Sequence, residues 1–304
     1  MLSVCNYHYI RESFETKYPS IFGITPVEFK CQLKKLRNTG DFVTIKDLNS
    51  DMTKILTSKE NFHLVTFDDG LKEQYIYGAN IMDELNIEGY FFVNALNFEK
   101  KKVSTVHKIH LLRSITSPSK FYKLILSKSK TILTKFELKR AIEIYRFDDE
   151  LSARLKYLLN FRIDYSLKNS IINDLFRIYF DEESIVSKLY LSNEQLMYLA
   201  SKSYLGNHSY SHIPLGELNE SDLNLEIVHS KKYLEKISKG KINAISYPYG
   251  TLESFSENAL NVVKKAGHIF GFTTIKGVNN NDIDRLSLNR FDCNDLIGGK
   301  NHES

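Results

Sequence analysis

The sequence has little of what builds disulfide-rich, membrane-spanning or exported proteins. It contains no tryptophan, five prolines and three cysteines. The cysteines, Cys5, Cys31 and Cys293, are odd in number and far apart, so neither a disulfide framework nor a thiolate zinc site is indicated. No run of about 18 apolar residues occurs, and the first residues lack the basic and apolar regions of a signal peptide. These absences predict a cytoplasmic protein without a transmembrane segment.

Charge of neither sign dominates the chain. The 41 Lys and Arg residues and 37 Asp and Glu residues give a net charge of +4, too small to indicate a nucleic-acid surface. Hydrophobic residues make up 42% and charged residues 26% of the sequence, which excludes a disordered or collagen-like chain. We therefore expect a globular protein with no nucleic-acid partner.

Short apolar runs alternate with helical patterns. Two helices are predicted to begin at capping boxes, Thr25–Glu28 and Ser192–Gln195, where Glu or Gln follows a hydroxyl residue by three positions. The candidate strands are Phe62–Phe67, Tyr90–Asn94, Tyr204–Asn207, Ala244–Tyr247 and Ile269–Thr273. Such alternation predicts an α/β fold with a parallel sheet and outer helices, either open or closed into a barrel.

One stretch interrupts the alternation. Ala95–Ser203 separates two candidate strands by 109 residues, far more than a strand–helix connection needs. It has no glycine and one proline, and its apolar residues recur at helical spacing. We therefore expect one domain formed by residues 1–95 and 204–304, and a mostly helical insertion over 96–203.

Two adjacent carboxylates, Asp68 and Asp69, follow the candidate strand Phe62–Phe67 and precede Gly70. Adjacent carboxylates repel unless a cation or a proton lies between them. The carboxyl ends of parallel strands are also where ligands bind. Taken alone, however, the three residues favour an ordinary turn.

A second candidate pair, His208 and His212, follows the strand Tyr204–Asn207. Histidines four apart fall on one face of a helical turn and can reach one metal ion, although a surface pair has the same spacing. One Asp and two His make the ligand set of a catalytic zinc ion that keeps an open position for water. The second Asp would then be free to act as general base. Together these segments predict metal-assisted hydrolysis of a carbonyl compound.

A third segment, Ser246–Gly250 (SYPYG), closes another candidate strand. Its proline and glycine shape a sharp loop, in which a backbone N–H could face a developing oxyanion. An ordinary strand-to-helix turn is the alternative.

In this order, the three segments resemble the motifs of the polysaccharide deacetylase family, also called the NodB-homology or carbohydrate esterase 4 family. Thr66–Gly70 (TFDDG) looks like the first motif, and His208–His212 (HSYSH) fits the second, H-(S/T)-x-x-H. SYPYG is similar to the third, R-x-P-Y. The resemblance covers roughly residues 4–95 and 190–292.

The resemblance implies a distorted (β/α) barrel of fewer than eight strands that hydrolyses the N-acetyl group of an amino sugar. It implies that Asp68 is the general base and that Asp69, His208 and His212 bind the metal ion. The amide N–H of Tyr249 would help to hold the oxyanion. The implied cofactor is a divalent ion, with Zn²⁺ expected first and Co²⁺, Ni²⁺, Mn²⁺ or Fe²⁺ as alternatives.

Two positions depart from the family's pattern. Ser246 stands where an arginine usually orients the base, and Arg290 is the candidate replacement. The late L-x-H motif, whose histidine acts as general acid, is not evident, and His8 is the candidate substitute. The early Tyr7-His8 and the stretch from Ala266 to Arg290 resemble the branch that includes the biofilm poly-N-acetylglucosamine deacetylases.

The expected function is therefore removal of an N-acetyl group from an N-acetylated sugar in a polysaccharide or its precursor. A deformylase or amidase acting on a lipid- or nucleotide-linked amino sugar would use the same site. A non-catalytic sugar-binding relative is the alternative outside enzymes. The absence of a signal peptide favours a precursor made inside the cell, and a lipid-linked substrate would bring peripheral contact with a membrane.

Overall fold

The computed structural model describes residues 1–18, 20–145 and 148–302. The chain divides into two compact units. The first comprises Met1–Ser13, Gly23–Lys102 and Val186–Ser304, and the second comprises Phe14–Phe22 and Val103–Ile185. The second unit is narrower than the insertion expected over 96–203. The stretch after Ile185 belongs to the first unit, because Leu196 and Leu199 are buried in that unit's core.

The first unit is built on one sheet whose described strand pairs are all parallel. Its strands are β1 (Leu2–Tyr7), β2 (Asp41–Phe42), β3 (Phe62–Phe67), β4 (Gly89–Val93), β5 (Leu205–Asn207), β6 (Ala244–Ser246), β7 (Phe270–Phe272) and β8 (Phe291–Asp292). They lie in the order β7-β6-β5-β4-β3-β1-β8, with β2 paired to β3 beside this path. Seven strands therefore follow one another, in agreement with the expectation of fewer than eight.

The two ends of this path are linked. Leu288, which precedes β8, forms a parallel bridge to Phe272 of β7, and β8 pairs with β1. Rings from strands three places apart also touch, since the centroids of Phe92 in β4 and Phe272 in β7 lie 5.3 Å apart. The sheet is thus curled into the distorted (β/α) barrel that the family resemblance implies.

Side chains alternate between the inside and the outside of the curled sheet, because successive residues of a strand point to opposite faces. The inward side chains form one buried apolar cluster that includes Val4, Leu64, Phe92, Ala244 and Phe272. The outward side chains of β1, β3 and β4 form another, with the outer helices, that includes Tyr7, Val65, Phe67 and Phe91. Burial of both faces is typical of a parallel sheet and accounts for its nearly continuous apolar strands.

Helices surround the sheet of the first unit. The α-helices are Pro26–Arg37, Ile45–Thr57, Asn80–Glu84, Leu96–Glu99, Asn193–Ser201, Glu220–Leu223, Ser230–Ser238 and Glu257–Lys265. Shorter π-helical or 3₁₀ segments are Gln74–Ala79, Asn224–His229 and Leu252–Ser254. Both predicted capping boxes are present: the side chains of Thr25 and Ser192 accept from the amides three residues on.

The second unit is helical. Its helices are Thr105–Ile115, Pro118–Ser129, Lys135–Ile144, Glu150–Tyr157 and Tyr165–Tyr179, with a π-helical turn at Leu158–Arg162. A further helix, Glu182–Leu189, crosses the boundary between the two units. The buried apolar residues of the unit include Phe121, Ile125, Leu155, Ile172 and Phe176. Among the described residues of the chain, no helix is both long and apolar enough to cross a bilayer.

Candidate active site

Every second side chain of a strand points into the barrel, and at the carboxyl ends of the strands these inward side chains are polar. Asn6 and Thr66 each lie two positions beyond an inward apolar residue, and both are buried. The next inward positions after β1, β3 and β5 are occupied by three predicted site residues: His8, Asp68 and His208. The period of two along parallel strands therefore accounts for the convergence of residues that are far apart in the sequence.

Asp69, His208 and His212 lie together and are buried. Oδ1 of Asp69 is 3.5 Å from Nε2 of His208 and 3.3 Å from Nε2 of His212. The three ligand atoms lie within 4.8 Å of one another. The structure thus brings the predicted ligand set together.

The backbone that carries the two histidines differs from the expectation. The sequence spacing suggested a helical turn, whereas residues 208–212 form a loop in which His212 has a left-handed φ of 62°. The loop replaces the helix because Ser209 Oγ accepts from the His212 amide over 3.1 Å, an alternative to a helical hydrogen bond.

Left-handed backbone recurs at the other loops of the site. Asp69 has a φ of 82° and Tyr249 a φ of 63°. Non-glycine residues adopt this region at a cost on the order of 1–3 kcal/mol, and such residues concentrate at functional sites. At Asp69 the turn breaks the strand alternation, so its carboxylate faces His208 rather than the outside of the barrel.

The hydrogen bonding of His208 suits metal ligation. Its Nδ1 lies 2.8 Å from the carbonyl oxygen of Ser246. Because a carbonyl only accepts, Nδ1 donates to it, and Nε2 is the nitrogen that lies beside Asp69. One carboxylate oxygen and two imidazole nitrogens are a donor set that holds Zn²⁺ with an open position. The residues present therefore fit the divalent ion that the family resemblance implies.

Two buried polar residues hold the histidine loop, and the sequence reasoning missed both. Oε2 of Glu226 accepts from the amides of Tyr210 and Ser211 over 3.0 and 2.9 Å. The side-chain amide of Asn94 donates to the carbonyl oxygen of His208. Burial raises the pKa of Glu226, although its hydrogen bonds from the loop act in the opposite direction. Asn94 could have been found from its place one position after β4, whereas no local pattern marks Glu226.

Asp68 forms a buried, bidentate ion pair with Arg290. Nη1 of Arg290 donates to Oδ1 over 2.9 Å, and Nη2 donates to Oδ2 over 2.7 Å. Burial by itself raises the pKa of Asp68, but the charges of Arg290 and His208 and the hydrogen bonds from Arg290 outweigh it and hold that pKa well below its usual range. Asp68 is therefore a carboxylate at neutral pH.

The Arg290 guanidinium is anchored on several sides. Nε donates to the carbonyl oxygen of Thr273 over 2.6 Å, and Nη1 donates to Oδ1 of Asn6 over 2.9 Å. Nη2 also donates to Oγ of Ser246 over 2.8 Å. The serine at the position where the resemblance expects an arginine is thus a hydrogen-bond partner of Arg290. Asn6, which the sequence reasoning missed, could have been found from its place two positions before His8.

His8 lies near Asp68, with its Nε2 3.9 Å from Oδ2 and its side chain 37% exposed. Gln74 joins the ends of β1 and β3. Its Nε2 donates to the carbonyl oxygens of His8 and Asp68 over 2.8 and 2.5 Å. Sequence reasoning did not single out Gln74, because its spacing from Asp68 matches no local pattern.

Tyr249 lies beside the ligand cluster. Its ring contacts that of His212 edge to face, with centroids 5.2 Å apart. Its carbonyl oxygen accepts from Oγ1 of Thr274 over 2.6 Å. Together with its left-handed φ, these contacts fix the orientation of the peptide groups around Tyr249 next to the cluster.

The chain is similar to known proteins both in sequence and in fold. A family model for polysaccharide deacetylases matches residues 190–271, which include the histidine loop and SYPYG. A curated relative, "Putative polysaccharide deacetylase YxkH" of Bacillus subtilis, is 28% identical over 109 residues. That match covers 36% of this chain and 38% of the relative, so the chain matches well under two thirds of the relative's length.

Solved structures share the fold over nearly the whole chain. The Streptococcus pyogenes deacetylase PplD, in complex with acetate, has a TM-score of 0.59 at 16% identity and covers 96% of this chain and 91% of its own. IcaB from Ammonifex degensii has a TM-score of 0.57 at 16% identity, with coverages of 97% and 93%. At these identities the likeness shows the fold alone. Residues 190–271 thus match the polysaccharide deacetylase family model, within a fold that the solved deacetylase PplD shares.

Proposed function

We propose that the chain is a metal-dependent hydrolase that removes the N-acetyl group from an N-acetylated amino sugar, in a polysaccharide or its precursor. The observation that supports this most is the ionised, buried carboxylate of Asp68 beside the ligand cluster of Asp69, His208 and His212. A proton acceptor next to a Lewis-acid site is what hydrolysis of an unactivated amide requires. The deacetylase fold points to the same chemistry.

Asp69 Oδ1 and Nε2 of His208 and His212 would hold the divalent ion, and Zn²⁺ fits this donor set first. A bound divalent ion polarises an amide carbonyl and lowers the pKa of water. The loop contacts of Glu226 keep the two imidazoles in place before any ion arrives.

In this proposal Asp68 takes the proton from the attacking water. Arg290 keeps Asp68 ionised and fixes both of its oxygens, so Arg290 is a positioning residue. His8, near the same carboxylate and partly open to solvent, gives a proton to the leaving amine. The amide N–H of Tyr249 donates to the oxyanion that forms as the carbonyl is attacked.

The test is acetate release from N-acetylglucosamine oligomers, measured alongside metal content by elemental mass spectrometry. We expect near one equivalent of metal in the wild type and its loss in His208→Ala. Asp68→Asn should keep the metal and lose activity by about 10²–10⁴-fold, the contribution typical of a positioned base. Formate release from N-formylated sugars separates the deformylase alternative.

Two outcomes would contradict the proposal. A wild type that binds neither zinc nor cobalt would exclude the metal-dependent hydrolase. A metal-loaded wild type that binds the sugars but releases no acetate, like Asp68→Asn, would indicate a sugar-binding relative. The cytoplasmic location expected from the sequence and the branch within the family stay predictions.

A further inference from the structure

The second unit contains a long segment with basic residues and no acidic ones. Residues 103–136 include seven Lys or Arg and no Asp or Glu. Two of the seven are buried: Lys108 forms an ion pair with Glu182 at 2.6 Å, and Arg113 lies in the interior. The other five are exposed: Lys120, Lys123, Lys128, Lys130 and Lys135. None of these five forms an ion pair with another residue of the described chain.

Two large apolar side chains protrude within the same segment. Ile132 is 81% exposed and Phe136 is 71% exposed. Ile132 lies in the loop between the helices Pro118–Ser129 and Lys135–Ile144, and Phe136 lies in the first turn of the second helix. Single exposed apolar residues are common, whereas these two large ones lie four residues apart in a segment whose exposed lysines form no ion pair with another described residue.

The protruding side chains are held in place. Leu133, between them, is buried and anchors the loop. Thr134 caps the following helix: its Oγ1 accepts from the Glu137 amide, while the Glu137 carboxylate accepts from the Thr134 amide over 2.8 Å. Glu137 also pairs with Arg162 at 2.7 Å, so the first acidic residue after this segment does not neutralise the lysines. The cap therefore fixes the backbone of the first helical turn, from which the exposed side chain of Phe136 projects.

We propose that this lysine patch, formed by Lys120, Lys123, Lys128, Lys130 and Lys135 with Ile132 and Phe136, binds the surface of an anionic lipid bilayer. An anionic bilayer matches both parts of the patch, since its headgroups attract lysines and its acyl boundary takes apolar side chains. A second copy of the chain fits less well, because it would bring the unpaired lysines of both copies face to face. The binding is peripheral and independent of the activity proposed above.

The absence of tryptophan from the sequence allows a direct test. Phe136→Trp creates a single fluorophore in the patch, and Val27→Trp creates one in the first unit, where Val27 is 79% exposed. Each full-length protein is mixed with vesicles of phosphatidylcholine, alone or with one third phosphatidylglycerol. We expect a blue shift, and quenching by brominated acyl chains, only for Phe136→Trp with the anionic vesicles.

Charge is tested by co-sedimentation of the same vesicles with two matched variants. Lys123→Gln/Lys130→Gln/Lys135→Gln removes three patch charges. Lys232→Gln/Lys236→Gln/Lys241→Gln removes three exposed charges of the first unit. The patch variant should bind anionic vesicles at least about tenfold more weakly than the wild type, given about fivefold per lysine near such a surface, and the control variant should not. Circular dichroism and thermal unfolding establish that each variant is folded.

Three results would overturn the proposal. The wild type could remain in the supernatant with both vesicle types, in which case the patch faces a protein partner. The two triple variants could lose equal affinity, which would indicate general charge attraction. Phe136→Trp could bind without a blue shift, which would place the contact elsewhere on the chain.

Discussion

Arg290 holds both carboxylate oxygens of Asp68, at 2.9 and 2.7 Å, across a separation of 222 residues. Both side chains are buried, and the same guanidinium reaches Ser246. The site therefore keeps an arginine on its proposed base, although the third motif has none. A serine there leaves room for a guanidinium that arrives from the segment before β8.

The first prediction concerns this ion pair. Arg290→Ala should lower the free energy of unfolding by about 3–5 kcal/mol, because it leaves Asp68 buried without its charge partner. Arg290→Lys keeps the charge but loses the bidentate geometry, so it should retain more stability while kcat falls. Urea unfolding and initial rates would measure the two effects. Arg285→Ala, which removes an exposed arginine bonded to Oγ1 of Thr53, is the control and should change stability by no more than about 0.5 kcal/mol.

The second prediction separates the backbone of Tyr249 from its ring. If the amide N–H holds the oxyanion, Tyr249→Ala should lose less than about tenfold in kcat, since loss of such a donor itself costs about 10²–10³-fold. Tyr249→Gly should be at least as stable as the alanine variant, because glycine adopts a φ of 63° without strain. A drop of two orders of magnitude in Tyr249→Ala would assign the role to the ring instead.

The third prediction concerns the glycine of the first motif. Gly70 has a φ of 64°, and a Cβ built on it would lie 2.6 Å from Cγ1 of Val93. Gly70→Ala should therefore cost about 2–4 kcal/mol, since overpacking adds to backbone strain. Gly267→Ala is a matched control, with a φ of 79° and nothing within 4 Å of the new Cβ. Gly267→Ala should lower the free energy of unfolding, measured in urea, by only about 1 kcal/mol. If both variants lost the same stability, Val93 would be able to move away from the new Cβ at Gly70 without cost.

The fourth prediction is a pH dependence of stability from His268. Burial and the nearby charge of Lys231 lower the pKa of His268 from 6.5 to about 3. Between these pH values the unfolded chain binds a proton that the folded chain excludes, so stability falls as the pH falls. The loss from pH 7 to pH 4 should be about 2–3 kcal/mol from this group.

His268→Gln should reduce this loss of stability between pH 7 and pH 4, measured as the free energy of unfolding in urea across the same pH range. His302→Gln, which removes an exposed histidine, should leave the slope unchanged. Because His268→Gln and the wild type share all other titratable groups, the difference between their two curves isolates His268. Parallel curves for His268→Gln and the wild type would mean that His268 is accessible to protons in the folded state.

Local sequence was enough to predict the elements that carry the site. The apolar run Phe62–Phe67 is β3 with the same bounds, and both capping boxes begin helices, because backbone pairing and caps depend on near neighbours. Spacing indicated one aspartate and two histidines as metal ligands, and the family resemblance implied that the aspartate is Asp69. The cluster that the structure forms from these residues has the donor types that the sequence indicated.

What only the tertiary structure decided is how distant residues meet. The contacts of Arg290 with Asp68, Asn6 and Ser246 depend on the curl of the sheet, which no local pattern encodes. The same holds for Glu226 beneath the histidine loop and for Gln74 between β1 and β3. The sequence determines which residue types follow each strand, and the alternation of side chains along a strand determines which of them point into the barrel. Closure of the barrel determines which of these residues touch, because the shape of the barrel depends on how all of its strands pack together.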